Sequence, residues 1–399
     1  MGMNDTPSGE RCHIGFFGRR NAGKSSVVNA ITGQDLAIVS ATKGTTTDPV
    51  RKAMELLPLG PVVIIDTPGF DDEGALGEQR VARARRELNR CDLAVLVVDA
   101  NEGMTAADRE MEALFKEKSL PYLILMNKSD LLGEVPEAGE HVRYVSAKEG
   151  TGIYEAKEAI ATLYAGHENA KRVVGDLLKP LDIVVLVIPI DKAAPKGRLI
   201  LPQQQVIRDA LEAGACPLTV RETELAALLE KLGQDPALVI TDSQVFGQVA
   251  RIVPARVPLT SFSILMARYK GFLDEALRGV SVIPTLKGGE RILIAEGCTH
   301  HRQCGDIGTE KLPKWIREYT GKDFIFETSS GQGFPADLSP YALVLHCGGC
   351  VLNEKEMRWR MMSAVDQGVP FTNYGTTIAF LKGILKRSIE ICRPADITL

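Results

Sequence analysis

Cysteine and histidine crowd together twice in this chain, in EGCTHHRQC (296–304) and in LHCGGC (345–350). Written as ligands, the pattern is Cys298-x-His300, a spacer of 45 residues, then His346-Cys347-x-x-Cys350. Thiolates and imidazoles at this spacing suit a metal centre. Tetrahedral zinc takes four such ligands in a closed site. An iron–sulfur cluster takes four thiolates as a rule and accepts other groups in some proteins. Dithiol redox chemistry needs only the CxxC pair and no partner upstream. The glycines between Cys347 and Cys350 make a tight loop whose thiols can face one ion or cluster. Cys304 is a further thiolate that would close such a site, or a loop residue without metal. His301 reads as a surface neighbour, and Cys12, Cys91 and Cys392 as structural. Glu296, Asp306 and Glu327 lie near these loops, but no motif marks them as bases, and a solvated or helix-capping role is expected.

A second constellation sits near the other end. GRRNAGKS (18–25) is GxxxxGKS placed between an apolar run, HIGFFG, and a helix-like VVNAI. Gly18 and Gly23 let backbone amides curl around phosphates, with Asn21 and Ala22 between them. Lys24 reaches the β- and γ-phosphates, and Ser25, followed by Ser26, offers a hydroxyl to magnesium. The helix N-terminus adds its positive dipole to the anion site. In DTPG, Asp66 fits the outer shell of magnesium and the Gly69 amide fits the γ-phosphate. In NKSD, Asp130 can accept both the N1–H and the exocyclic amine of guanine, a donor pair adenine lacks, while Asn127 and Lys128 brace the loop. Ser146, Ala147 and Lys148 resemble the loop that offers a backbone amide to guanine O6. The expected ligands are therefore GTP and Mg2+.

The elements that must hold these residues read as an α/β chain. PVVIID, LAVLVVDA and PYLILMN are continuous apolar runs, as buried parallel strands require. Between 170 and 270, strand and helix patterns alternate (LDIVVLVIPI, QQQVIRDALEAG, PLTVRE, ELAALLEKLG, ALVITD, SQVFGQVARI), which predicts a small parallel unit. It carries no nucleotide motif, no histidine and one cysteine, Cys216, so its expected role is assembly through a helix face or sheet edge. The last 130 residues alternate again. ERILIAEGC and YALVLHCGGC are strands that run directly into the cysteines, which places both clusters at the ligand-binding edge of an open sheet. EQRVARARRELNRCD reads as a solvated basic helix face.

Length and composition set the outer limits. The 399 residues predict two or three domains, and 45% apolar residues suffice for packed cores. A net charge of -4 argues against a nucleic-acid binder. No apolar run approaches a membrane span, and MGMNDTPSGERCH lacks the apolar core of a signal peptide, so a cytoplasmic protein is expected. Gly2 and Thr6 match a myristoylation pattern by chance. Clustered thiols in a reducing compartment favour metal or catalysis over disulfides.

The four nucleotide elements, in this order, resemble the Era and MnmE GTPases. ATKGTTTDPV resembles the first switch of that group, which implies Thr46 as a second magnesium ligand, with Thr45 or Thr47 as alternatives. Asn21 falls where MnmE-like proteins carry a potassium-binding asparagine. The resemblance thus implies K+ as an activator and a catalytic set of Lys24, Asn21 and Thr46. Phe70 stands where Ras-like proteins carry a water-positioning glutamine, so hydrolysis is expected to be slow without another element.

Followed by CxH and a distant HCxxC, the whole chain resembles the maturation GTPases of FeFe hydrogenases. That resemblance implies a P-loop GTPase domain (1–168), a dimerisation domain (175–265) and a cluster domain (268–399). It implies a 4Fe–4S cluster on Cys298, Cys347 and Cys350, with His300 and His346 as a fourth ligand or as neighbours of the ligands. It implies a homodimeric scaffold that receives a diiron precursor made with radical-SAM maturases and delivers it to apo-hydrogenase, with no nucleic-acid or membrane partner. The competing readings are an Era-like GTPase in RNA or ribosome work and a GTPase metallochaperone with structural zinc.

Overall fold

The computed structural model describes residues 11–34, 50–67, 69, 87–165, 171–190, 199–297, 306–331 and 333–392. The chain divides into two compact units, 1–169 and 170–399. The fold is α/β, with sheets that are parallel except at one edge.

In the first unit, six strands run in the order β2-β3-β1-β4-β5-β6. They are β1 (Cys12–Gly18), β2 (Val50–Leu56), β3 (Gly60–Asp66), β4 (Leu93–Asp99), β5 (Tyr122–Asn127) and β6 (Val142–Tyr144). Every residue of β1 and β4 is buried. This explains why their sequences run apolar without alternation: helices cover both faces of a parallel sheet. α1 (Lys24–Thr32) and α3 (Ile153–Ala165) lie against one core, while α2 (Ala106–Glu117) lies against the other. β2, which hydropathy did not reveal, pairs antiparallel with β3 from Val50↔Asp66 to Leu56↔Gly60. As an edge strand it has a weak, half-polar pattern. The chain leaves β1 for β3 on one side and returns for β4 on the other, so the sheet's switch point lies at Gly18.

The second unit holds two four-stranded parallel sheets. The first has the order β10-β9-β7-β8, from β7 (Ile183–Val187), β8 (Cys216–Val220), β9 (Leu238–Thr241) and β10 (Leu259–Ser261). Its helices are α4 (Leu201–Glu212), α5 (Leu225–Leu232) and α6 (Phe246–Ile252). α7 (Phe262–Tyr269) and α8 (Leu273–Val280) follow, so the expected boundary at 265–268 falls inside α7. The second sheet has the order β12-β11-β13-β14, from β11 (Arg291–Glu296), β12 (Ile325–Ser330), β13 (Tyr341–His346) and β14 (Phe371–Asn373). α9 (Leu312–Thr320), α10 (Glu354–Val365), α11 (Tyr374–Leu381) and α12 (Leu385–Ile389) complete it. The two sheets share one apolar core that joins Val185, Val239 and Phe246 to Phe272, Leu293 and Phe371. No helix among the described residues is long and apolar enough to cross a membrane.

Candidate functional site

The phosphate loop leaves the buried end of β1 and turns into α1. Asn21 and Gly23 both sit at positive φ, 65° and 82°. Asparagine tolerates that region, and glycine is required at 23 for a second reason: a Cβ there would lie 2.3 Å from Asn127 Nδ2. No side chain caps α1, so its first amides remain for an anion. The Lys24 ammonium contacts the Asp66 carboxylate from the end of β3, and Ser25 Oγ lies 3.4 Å from the other Asp66 oxygen. An ammonium, a hydroxyl and a carboxylate gathered at an uncapped helix N-terminus suit a phosphate chain with magnesium.

The base-side loop is tied to the phosphate loop. Asn127 donates from Nδ2 to Ala22 O at 3.0 Å and accepts from the Ala147 amide at 3.1 Å. Ser146 Oγ donates to Asp130 Oδ1 at 2.6 Å, and the Glu149 amide donates to Ser146 Oγ at 3.1 Å. Lys128, at φ 64°, reaches back to Asp99 Oδ2 at 2.5 Å. Burial works to raise the Asp99 carboxyl, but hydrogen bonds from Lys128 and Asn101 outweigh it and hold it below its ordinary range. Lys148 is exposed and pairs with Glu149. Asn21 is exposed on the loop and Ser26 in the first turn of α1, and Gly69 is half-buried. Thr45, Thr46, Thr47 and Phe70 lie outside the described residues, as does residue 78–86 of the expected basic helix.

In the second unit the chain runs from β11 to β12 on one side and returns to β13 on the other. The switch point therefore falls between the C-terminal ends of β11 and β13. The Cys347 amide donates to Ala295 O at 2.8 Å, which locks the start of the HCxxC loop against β11. Cys347 Sγ accepts from the Gly297 amide at 3.1 Å and, more weakly, from the Gly349 amide at 3.4 Å. Gly297 is the residue that precedes Cys298. Gly349 has φ 59°, and a Cβ on it would meet Met357 Sδ at 2.3 Å. Cys347 and Cys350 are both half-buried. Amide donors aimed at a sulfur stabilise a thiolate, whether free or metal-bound, so the described half of the site fits a thiolate-ligated group. Cys298, His300, His301 and Cys304 lie outside the described residues, and no group of three or more ligating side chains occurs among the described ones.

His346 is fully buried. Its Nδ1–H donates to Cys347 O at 2.7 Å, and its Nε2 accepts from Arg360 Nη1 at 3.1 Å. The guanidinium can only donate, which settles the tautomer. Both ring nitrogens are thus engaged in this arrangement. Through the Cys347 carbonyl, His346 orients the start of the HCxxC loop. Burial, with Arg360 beside it, lowers its pKa to about 3.

Sequence reasoning missed what lies behind this loop. Arg360, 1% exposed, is also bound to buried Glu356 and to Gly331 O, and its guanidinium stacks 5.1 Å from the Phe334 ring. The Tyr374 hydroxyl lies 3.4 Å from Glu296 Oε1; burial first, then nearby Cys347, Glu296 and Asp306, pushes this phenol well above its ordinary value. Asp306 caps the turn at Thr309, and Glu327 pairs with Arg291 and Tyr341. Arg360 stands in MRWRMM, where nothing in the spacing separates it from its exposed neighbour Arg358.

Three family models match the chain. Residues 13–128 match a 50S ribosome-binding GTPase family, 173–271 the hydrogen maturase F dimerization domain, and 274–391 the hydrogen maturase F tetramerization domain. The last two together span more than half of the chain. The tRNA modification GTPase MnmE of Legionella pneumophila (strain Corby) is 39% identical over 146 residues, 36% of this chain and 32% of its own length. That of Laribacter hongkongensis is 36% identical over 156 residues, 38% of this chain and 34% of its own length. The chain thus spans about a third of these relatives. Among solved structures, Era of Aquifex aeolicus aligns at 19% identity and a TM-score of 0.35, covering 52% of this chain and 92% of that one.

Proposed function

Since this chain belongs to the hydrogen maturase F family, we propose that it is a GTP-hydrolysing scaffold that carries a 4Fe–4S cluster, receives the diiron precursor of FeFe-hydrogenase and delivers it to the apo-hydrogenase. The observation that carries the metal half is Cys347, held at the switch point of a parallel sheet with its sulfur facing the amide of Gly297. Cys298, Cys347 and Cys350 would supply three thiolates. A cluster bound there would supply an iron to which a foreign ligand can attach. The chain's own task is to hold the thiols at one sheet edge and keep the loop's polar groups satisfied. His346 supports that by bonding the Cys347 carbonyl. The candidate for the fourth position within the CxH motif is His300.

The nucleotide half rests on Lys24, Ser25 and Asp66 for the phosphates and magnesium, and on Asn127, Asp130 and the Ser146–Lys148 loop for guanine. Thr46 would complete the magnesium shell, and K+ held at Asn21 would place a positive charge beside the phosphates. GTP turnover need not do the metal chemistry. It changes contacts with the radical-SAM maturases or the hydrogenase, as switch segments do on loss of the γ-phosphate. The functional form is an oligomer built on the two assembly domains, with the homodimer as its unit, working in the cytoplasm.

The test is anaerobic reconstitution with iron and sulfide, followed by EPR of the dithionite-reduced protein and metal analysis. A 4Fe–4S signal that Cys347→Ser abolishes is the expected result. Stoichiometric zinc without that signal would favour a structural metal site and remove the scaffold reading.

A further inference from the structure

The CGGC loop is held from beneath by a residue of the other sheet's module. Lys270 follows α7, the helix that continues from β10. It is only 3% exposed, and its ammonium donates to Gly349 O and, at 2.7 Å, to Leu352 O. Both carbonyls belong to the turn that carries Cys350. α7 approaches the same site again: Ser263 O accepts from Asn373 Nδ2 at 3.4 Å, and Ser263 Oγ lies 3.8 Å from where a Cβ on Gly348 would stand.

The donors on this loop have a common effect. His346 binds the carbonyl of Cys347, and Lys270 binds those of Gly349 and Leu352. In a trans peptide the C=O and N–H point in opposite directions. Each carbonyl drawn inward therefore turns an amide outward: that of Gly348 away from His346, and that of Cys350 away from Lys270. The Gly349 amide already points at Cys347 Sγ. The Leu352 amide closes the turn onto Gly349 O at 3.0 Å, so the amides of Gly348, Gly349 and Cys350 are the ones left to form a nest for anionic sulfur. Beneath it lies a buried cation, in a low-dielectric setting where one charge acts strongly on another.

We propose that Lys270 is a positioning residue of the metal site, contributed by the module between the GTPase unit and the cysteine domain, which fixes the amide face of the CGGC loop and supplies the buried positive charge that offsets its thiolates. The proposal rests on the reading of Cys347 and Cys350 as cluster ligands. It also gives the assembly module a direct hold on the cysteine loop.

The experiment uses the full chain as wild type, Lys270→Met and Lys270→Gln. Before reconstitution, amide hydrogen exchange is measured over residues 347–353. Exchange there is expected to rise in Lys270→Met, with little change at β11, while Lys270→Gln, which keeps a donor, stays nearer wild type. After anaerobic reconstitution, Lys270→Met is expected to lose iron to a chelator roughly tenfold faster, the scale found for residues that orient metal ligands. Both variants lose the charge, so both should show a more negative midpoint potential, because the cation favours the reduced, more negative cluster. Should Lys270→Met fail to fold, the potential of Lys270→Gln decides. Wild-type exchange, iron retention and potential in both variants would overturn the proposal. A wild-type chain that takes up no cluster, with altered exchange in Lys270→Met, would instead remove the cluster reading and leave the loop-holding role.

Discussion

Asp130 shows how narrowly a single side chain sets the ligand. Its carboxylate is oriented by the Ser146 hydroxyl at 2.6 Å, leaving acceptor capacity for a paired donor edge. Asp130→Asn replaces an acceptor by a donor and should weaken GTP binding by at least ~3 kcal/mol, about 100-fold, by the usual scale of charge-assisted hydrogen bonds. Titration with a fluorescent GTP analogue checks this, and xanthosine triphosphate, with the complementary edge, should recover binding. Cysteine reactivity is a second residue-scale test. Burial pushes the Cys392 thiol up to about 11, against an ordinary value of 9.0, while Cys216 is exposed. Iodoacetamide at pH 8 should label Cys216 and leave Cys392 almost unlabelled. The sign for stability follows. Above pH 9 the unfolded chain releases this proton and the folded chain does not, so stability from this group is full below pH 9 and declines as pH rises towards 11.

At the scale of elements, two arrangements can be broken cleanly. Gly23 joins β1 to α1 at φ 82° with Asn127 in the space a Cβ would take. Gly23→Ala should therefore cost about 1–3 kcal/mol of local strain and abolish nucleotide binding, read by calorimetry with GDP. In α10, Arg360 and Glu356 form a pair buried on both sides, at 2.9 Å. Removing one partner strands the other charge, so Arg360→Ala should destabilise the second unit by about 3–5 kcal/mol in urea. An unchanged midpoint would mean that water reaches Glu356. Arg360→Ala should also free His346 Nε2, and with it the orientation of the HCxxC loop.

For the whole molecule, the shared core of the second unit is decisive. Val185, Val239 and Phe246 from one sheet's module meet Leu293 and Phe371 from the other in one cluster. A fragment spanning 170–399 should unfold in one cooperative transition. Fragments cut between 271 and 272 should aggregate, because each would expose apolar surface worth about 1.5–3 kcal/mol for every large side chain uncovered. Two separated transitions by circular dichroism would contradict the shared core. In the GTPase unit, hydrolysis is expected to run faster in potassium than in sodium. Equal rates would assign Asn21 to the turn alone, a role its φ of 65° already fits.

Much of this protein could be read from contiguous residues. The phosphate loop, DTPG and NKSD act through backbone turns and side chains whose partners lie at strand ends, and buried parallel strands announce themselves as unbroken apolar runs. The same logic carried Cys347 to the end of β13. What needed the folded chain depends on approach between distant segments. The antiparallel β2 is an edge strand with little hydropathy to betray it. Nothing in the spacing of the sequence announces that Arg360 meets His346 Nε2. Lys270 has no motif at all, because a buried cation is defined by the carbonyls around it, here contributed by residues 79 and 82 positions away.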